Sequence, residues 1–439
     1  QIVVFAFGAA SIIGTLLLLL PFATAPGNST SVVAAFFTAV SAVCITGLTV
    51  VDTATHWSGF GQLVIMVLIQ LGGLGIVSFA TLLGLLISGR ISLRDRLNTL
   101  SEAKIVGADS LPKLLSRILI VYFGFELVLA TYLSLRLHFS YDEGVFQSIW
   151  HGTFHAISAF NNGGFSLYTD SMTGFNQDMF FIAPVMLAVV VGGLGFPVLI
   201  ELHERIWRLR LQPGGKAKRF SLHTRLTLWM TVSLIVLGAL FIGAIEWNNP
   251  GTLGGLNTWD KLVNTFFTSI MPRSGGFNSL DISAMDPASW LGIDLLMFIG
   301  GGSASTAGGI KVTTIAVLIF IIYTEIRGET AVNVGNRRLP RSIQRQALTL
   351  VALSATAILL TTLLFAATTD FSLDEILFDV ISALAERRSV ALPIGLEDVA
   401  ASLQRPKQAD HGDMATGIVM RLAKPFASSP GALAQEIVA

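Results

Sequence analysis

Three short runs in this chain could replace the water around a bare cation: Thr46-Gly47-Leu48, Asn161-Asn162-Gly163-Gly164-Phe165 and Arg273-Ser274-Gly275-Gly276-Phe277. A dehydrated alkali ion needs a cage of oxygens, and the carbonyls of an extended loop provide one if successive residues alternate the signs of φ and ψ. Glycine does this without steric cost. A short helix whose C-terminal end aims at the same point adds partial negative charge there. One such helix with one glycine turn makes a quarter of a four-sided cation filter. A further run, Gly300-Gly301-Gly302-Ser303-Ala304-Ser305-Thr306-Ala307-Gly308-Gly309, interrupts a long apolar stretch. A bilayer tolerates unwound backbone only where it is buried in protein or lines a wet cavity. The expected gate is therefore Gly300, Gly301, Gly302, Ser303, Gly308 and Gly309, with the cation of Lys311 just past it.

The elements that must hold these runs follow from hydropathy. With 52% hydrophobic and 13% charged residues among 439, the chain has about half the charge of a soluble domain and reads as polytopic. At about 20 apolar residues per crossing, seven spans are predicted: 2–22, 60–87, 114–135, 179–202, 226–247, 290–324 and 347–368. The first, without an initiating methionine or a basic n-region, reads as a membrane helix of a truncated chain and not as a cleaved signal. Shorter amphipathic stretches at 31–44, 145–160 and 260–270 run into the glycine turns, and a fourth begins at 372–383. Such stretches are too short to cross and suggest re-entrant half-helices. The pattern of span, half-helix, glycine turn and span occurs three times in full and once in part, which predicts an all-α membrane protein with pseudo-fourfold repeats around a central pore. The repeats are placed at 1–110, 111–222, 223–343 and, truncated, 344–388, with a soluble tail at 389–439.

Basic residues are retained on the cytoplasmic side. Segments 88–117, 203–225 and 326–345 hold 18 of the 28 lysines and arginines, so the glycine turns are expected to face outside among acids that concentrate cations. Other motifs have plainer explanations. Gly72-Gly73-Leu74-Gly75 and Gly192-Gly193-Leu194-Gly195 are assigned to close helix packing. The run into Lys311 lacks the spacing and the preceding strand of a phosphate-binding loop. His151 and His155, spaced i, i+4, have neither an adjacent Glu nor a third ligand and read as structural. The lone Cys44 excludes an internal disulfide, and no nucleophile triad is present, so an enzyme is not expected.

These motifs, in the order Thr46-Gly47-Leu48-Thr49-Val50 with Asp52-Thr53, Ala159 to Phe165, and Pro272 to Asn278, resemble the Trk/Ktr/HKT superfamily of potassium transporters over about residues 1–384. The resemblance implies a bacterial plasma-membrane protein that passes K⁺, with Thr46, Gly47, Asn162, Gly164, Ser274 and Gly276 in the filter and Gly300 to Gly309 as the intramembrane gate below it. It also implies a homodimer of the Ktr branch, seated in the bilayer on a ring of cytosolic regulatory subunits. Those subunits, and not this chain, would carry nucleotide. No cofactor and no nucleic acid partner are expected for the chain itself.

After Ile381-Ser382-Ala383 the resemblance stops. Neither a fourth glycine turn nor an eighth span follows, and three quarters of a ring is not expected to conduct selectively. Arg405-Pro406, His411 to Thr416 and Leu422 to Pro425 resemble instead the start of arginyl-tRNA synthetase, which makes a joined or truncated product one expectation for the chain. An alternating-access carrier, which also uses broken helices, is the other.

Overall fold

The structure of the chain, a computed structural model, describes residues 2–26, 29–75, 111–211, 220–328, 331–334, 337–369 and 371–386. Its elements follow the expected order. The first repeat comprises α1 (Ile2–Leu18), the half-helix α2 (Val32–Cys44), the single turn α3 (Thr53–His56) and α4 (Gly59–Leu74). The second has α5 (Leu111–Tyr141), the half-helix α6 (Val145–Phe160), α7 (Met179–Leu194) and α8 (Phe196–Leu211). The third has α9 (Leu222–Glu246), the half-helix α10 (Thr258–Ile270), α11 (Pro287–Phe298) and α12 (Val312–Ile326). A two-residue antiparallel pair, β1 (Asn333–Val334) with β2 (Arg337–Arg338), leads to α13 (Arg341–Thr368) and the half-helix α14 (Leu373–Glu386). The predicted tail at 389–439 lies outside the described residues.

Short polar side chains start the half-helices of the first and third repeats and the helices that follow all three, whereas Gly144 starts α6 without a side-chain cap. Ser31 and Asn257 accept from Ala34 N and Asp260 N at the starts of α2 and α10. Ser58, Asp178 and Asp286 do the same for α4, α7 and α11. Each cap satisfies an amide that apolar surroundings would otherwise leave unpaired.

Packing follows the same scheme from one repeat to the next. Within each repeat the half-helix lies against its own first span, as α2 on α1, α6 on α5, α10 on α9 and α14 on α13. Between repeats, α4 packs on α6, α7 on α10 and α11 on α14, so the second span of each repeat buttresses the half-helix of the next. Ile65 and Ile69 meet Phe154 and Phe165 at the first of these seams. Val185 and Val189 join Val263 and Phe267 at the second, and Ile293 and Met297 join Ile381 at the third. On the outer surface Leu127, Val128, Leu240 and Leu363 are exposed, as befits lipid-facing positions on helices long and apolar enough to cross, namely Ile118–Tyr141, Leu222–Glu246 and Arg341–Thr368.

The second spans differ from expectation. Segment 179–202 is not one straight helix, because α7 and the stretch Phe196–Ile206 meet at 108° across Gly195. Helix α4 likewise ends at Leu74, with Gly75 at φ 74°, where a span to residue 87 was expected. The first run thus ends a helix, with residues 76–87 of the predicted span outside the described residues, and the second breaks one, and both are packing sites as well. Built Cβ atoms at Gly72 and Gly192 would collide with the carbonyl oxygens of Val43 and Phe160, near the ends of α2 and α6. Close packing at the first glycine of each run is borne out, and continuity of the helix through the run is not.

The outer end of the third repeat is tied by Glu246, fully buried, whose carboxylate accepts from Asn249 Nδ2 (2.7 Å), Thr252 Oγ1 (2.7 Å), Ser289 Oγ (2.5 Å) and Asp286 N (2.9 Å). Truncation would strand four donors at once. Glu246→Ala is expected to destabilise the protein by about 3 kcal/mol, read as a lowered Tm in detergent; an unchanged Tm would show that water replaces the carboxylate there.

Candidate ion pathway

The three glycine turns, separated by more than a hundred residues of chain, meet at one point. A Cβ built on Gly47 would lie 3.0 Å from Gly163 O and 3.2 Å from Gly164 Cα. One built on Gly164 would lie 3.0 Å from Gly276 Cα and 3.1 Å from Gly47 Cα, and one on Gly276 only 2.5 Å from Gly164 Cα. All three have positive φ, at 67°, 70° and 72°. No L side chain fits there in either conformation or space.

Two residues before each glycine, φ is positive again, at Ile45 (61°), Asn162 (58°) and Ser274 (79°). Each turn therefore alternates, left-handed, then ordinary, then left-handed. This register fixes which residues correspond between repeats. Thr46 is equivalent to Gly163 and Gly275, and it is Ile45 that corresponds to Asn162 and Ser274. A β-branched residue in the left-handed region is rare, so nothing in the sequence pointed to it. The end of α2 imposes it, because Ile45 N and Thr46 N close back on Ala42 O and Ser41 O.

What holds each turn differs by repeat. In the first, Ser41 Oγ donates to Leu48 O (2.7 Å) and accepts from Thr46 Oγ1 (2.9 Å). In the second, Ser158 Oγ makes the equivalent bond to Phe165 O (2.8 Å). These serines were not singled out, although Val40-Ser41-Ala42, Ile157-Ser158-Ala159 and Ile381-Ser382-Ala383 repeat in the sequence. Six residues further on stand Gly47, Gly164 and, in the fourth copy, Arg388.

Asn161, Asn162 and Arg273, the polar side chains at the turns, are all engaged. Asn161 donates to Ile157 O (2.8 Å), Glu126 Oε1 (2.9 Å) and Gln70 Oε1 (3.3 Å), and accepts from Tyr122. With its nitrogen turned toward the two carbonyls, the Asn162 amide donates to Val189 O (3.2 Å) and Ala159 O (3.3 Å). Arg273 donates to Gly300 O (3.2 Å) and Thr231 O (3.4 Å). Glu126 was overlooked, and its signal was a single acid inside the apolar run of α5.

The interrupted segment between α11 and α12 folds beneath these turns. Its ends pair through Gly300 N to Ile310 O (3.1 Å) and Ile310 N to Phe298 O (3.2 Å). Its middle fills the breaks of the second repeat, with Gly302 N donating to Gly193 O (2.7 Å), Thr306 N to Gly192 O (3.3 Å) and Phe196 N to Ala304 O (3.0 Å). Thr306 Oγ1 reaches Phe160 O (3.3 Å), and Gly308 N donates to Ser274 Oγ (2.9 Å). Ser303 Oγ bonds Thr313 Oγ1 (3.1 Å) across the loop. Lys311 Nζ donates to Ala307 O (2.6 Å) and Gly308 O (3.4 Å), so the cation clips the loop's last residues together. Gly300, Gly301, Gly302, Gly308 and Gly309 are all buried, with Gly309 at φ 67°.

Outside the turns, Asp52 caps α3 and accepts from Thr55 Oγ1 (2.7 Å) and from Thr169 Oγ1 (3.0 Å) in the second repeat. Burial alone would raise this carboxyl, but the hydrogen bonds from Thr55, Ala54 and Thr169 outweigh it and hold it below its ordinary 3.8. His155 bonds His151 O (2.8 Å), Ser166 Oγ (3.1 Å) and Leu167 N (3.2 Å). Its ring shapes the segment after the second turn, and among the described residues no group of three or more His, Cys, Asp or Glu could hold a metal.

The succession of spans, half-helices and converging glycine turns has a counterpart among known proteins. The family model for the cation transport protein TrkH matches residues 1–405. The chain belongs to the TrkH cation transport family. Within that family it is 37% identical over 401 residues to the Ktr system potassium uptake protein B of Bacillus subtilis, covering 90% of this chain and 85% of that protein. It is 33% identical over 400 residues to the potassium/sodium uptake protein NtpJ of Enterococcus hirae, with 90% and 85% covered. The crystal structure of the potassium transporter TrkH from Vibrio parahaemolyticus shares the fold, with a TM-score of 0.65 at 18% identity over 88% of this chain and 75% of that one. A TrkH family member is a multi-pass membrane transporter and not an enzyme, and the helices described here have the apolar surface for that role. A second family model, the arginyl tRNA synthetase N terminal domain, matches residues 373–439. It overlaps the TrkH match, and its first residues form α14, which packs on α11 and α13 as the half-helix of a fourth repeat.

Proposed function

We propose that this chain is the ion-translocating subunit of a bacterial potassium uptake system, in which carbonyls of the turns at Gly47, Gly164 and Gly276 strip and hold K⁺ and the loop Gly300 to Gly309 gates the path below. The observation that carries this reading is the meeting of three glycines of positive φ at the ends of three half-helices. Thr46, Asn162 and Ser274 stand within the same turns, and Ile45 completes the alternating register. The relatives named for potassium uptake support K⁺ as the cargo. In this reading the chain works in the plasma membrane as a homodimer on a ring of cytosolic subunits that bind nucleotide.

With Arg388 where the register calls for a fourth glycine, three sides of the cage come from the turns described. Discrimination is then expected to be weaker than four glycine turns would give, though not abolished, because three half-helix ends still face the ion. The test is flux of K⁺ and Na⁺ into liposomes holding the purified full chain. Fast K⁺ entry in excess of Na⁺ is the expected result. Saturation at low turnover would favour an alternating-access carrier, and equal entry of both ions would remove the glycine turns from selection.

A further inference from the structure

We propose that Glu126 is a specificity-determining positioning residue, which holds the second glycine turn in register from behind through Asn161 and Gln70; this inference rests on the filter reading above. Glu126 lies on the first span of the second repeat and is 5% exposed. Both carboxylate oxygens accept, Oε1 from Asn161 Nδ2 (2.9 Å) and Oε2 from Gln70 Nε2 (2.8 Å). Gln70 belongs to α4 of the first repeat, and Asn161 caps the end of α6 three residues before Gly164. One buried acid thus fastens two repeats to the end of a half-helix.

The donor count leaves little slack. Asn161 shares its two amide hydrogens among Glu126, Ile157 O and, at the longer 3.3 Å, Gln70, and uses its oxygen on Tyr122. It also presses against Gly73, where a built Cβ would collide with Asn161 Oδ1. The side chain therefore has one position, fixed on every side, and the backbone of the turn follows from it. A buried network of this kind is stiff only while every member is satisfied. In Glu126→Gln one oxygen becomes an amide donor facing either the Gln70 or the Asn161 donor, so one bond is replaced by a clash of hydrogens.

A residue that merely packed α5 would change expression or Tm without touching ion choice. A positioning residue changes the ratio of K⁺ to Na⁺ entry. The experiment compares the full chain in liposomes with Glu126→Gln, Gly73→Ala and the exchanged pair Gln70→Glu with Glu126→Gln, each read as that ratio after the folded fraction is collected by size exclusion. The ratio is expected to fall by about tenfold, or to unity, in Glu126→Gln, the size of one buried hydrogen bond. It should fall similarly in Gly73→Ala, which displaces Asn161 while leaving the acid in place. The exchanged pair restores one acid facing one amide and should recover the unaltered ratio; if Glu126→Gln does not fold, Gly73→Ala and the exchanged pair carry the test. A discriminating unaltered chain with an unchanged ratio in Glu126→Gln, or in Gly73→Ala where Glu126→Gln does not fold, overturns the role of Glu126 alone. Equal K⁺ and Na⁺ entry in the unaltered chain overturns the filter reading and this inference with it.

Discussion

Gly276→Ser is expected to erase most of the preference for K⁺ over Na⁺ while the protein still folds. At φ 72° a serine backbone is strained by about 1–2 kcal/mol, and its Cβ would sit 2.5 Å from Gly164 Cα, which is backbone and cannot rotate away. The third turn must then move off the second, and the carbonyls of both lose their common centre. A site that replaces hydration by fixed oxygens discriminates through their number and placement, so a displacement of this kind lowers the K⁺ to Na⁺ entry ratio by about tenfold or to unity. Gly276→Ala should do the same, because the effect is steric. Gly255→Ala, at a glycine whose Cβ would meet nothing within 4 Å, should leave the ratio as it is. Retained discrimination in Gly276→Ser would take this turn out of the filter.

Lys311→Ala is expected to raise cation entry by about tenfold with no change in ion preference. Its ammonium holds Ala307 O and Gly308 O, and Gly308 is the residue whose amide reaches Ser274 on the third turn. Hydrogen bonds to a charged group contribute about 1.5–3 kcal/mol each. Losing them moves a closed loop toward an open one by a factor of ten or more. A cation beside the path could instead act by repelling the ion, and salt separates the two causes. An electrostatic barrier is screened at high ionic strength, so the gain from Lys311→Ala would shrink as salt is raised, whereas a broken clip gives the same gain throughout. Unchanged or reduced entry would mean that the loop is not held shut by this residue.

Much of the architecture was open to reading because its causes are local. Apolar windows long enough to cross give the first spans, and Ser31, Asn257 and Asp178 mark helix starts through caps that reach only two or three residues along the chain. The half-helix at 372–383 is seen as α14, although the glycine turn that should follow is absent from the sequence. The helix end at Gly75 and the break at Gly195 escaped for a physical reason. A Gly-Gly-Leu-Gly run in an apolar window fits a tight helix crossing equally well, and what ends α7 is backbone arriving from elsewhere, as Gly302 N takes Gly193 O and Ala304 O takes Phe196 N.

From its residues alone this chain is determined to be a repeated, membrane-spanning helical protein with glycine turns at Gly47, Gly164 and Gly276, because hydropathy, turn chemistry and repeat spacing act over a few residues. Only the tertiary structure decides that these turns share one centre and that Glu126 stands behind Asn161. Each of those depends on which second span leans on which half-helix, and the partners concerned lie 35 to more than 100 residues apart in the chain. No local preference encodes such a meeting, which exists only once the spans are packed.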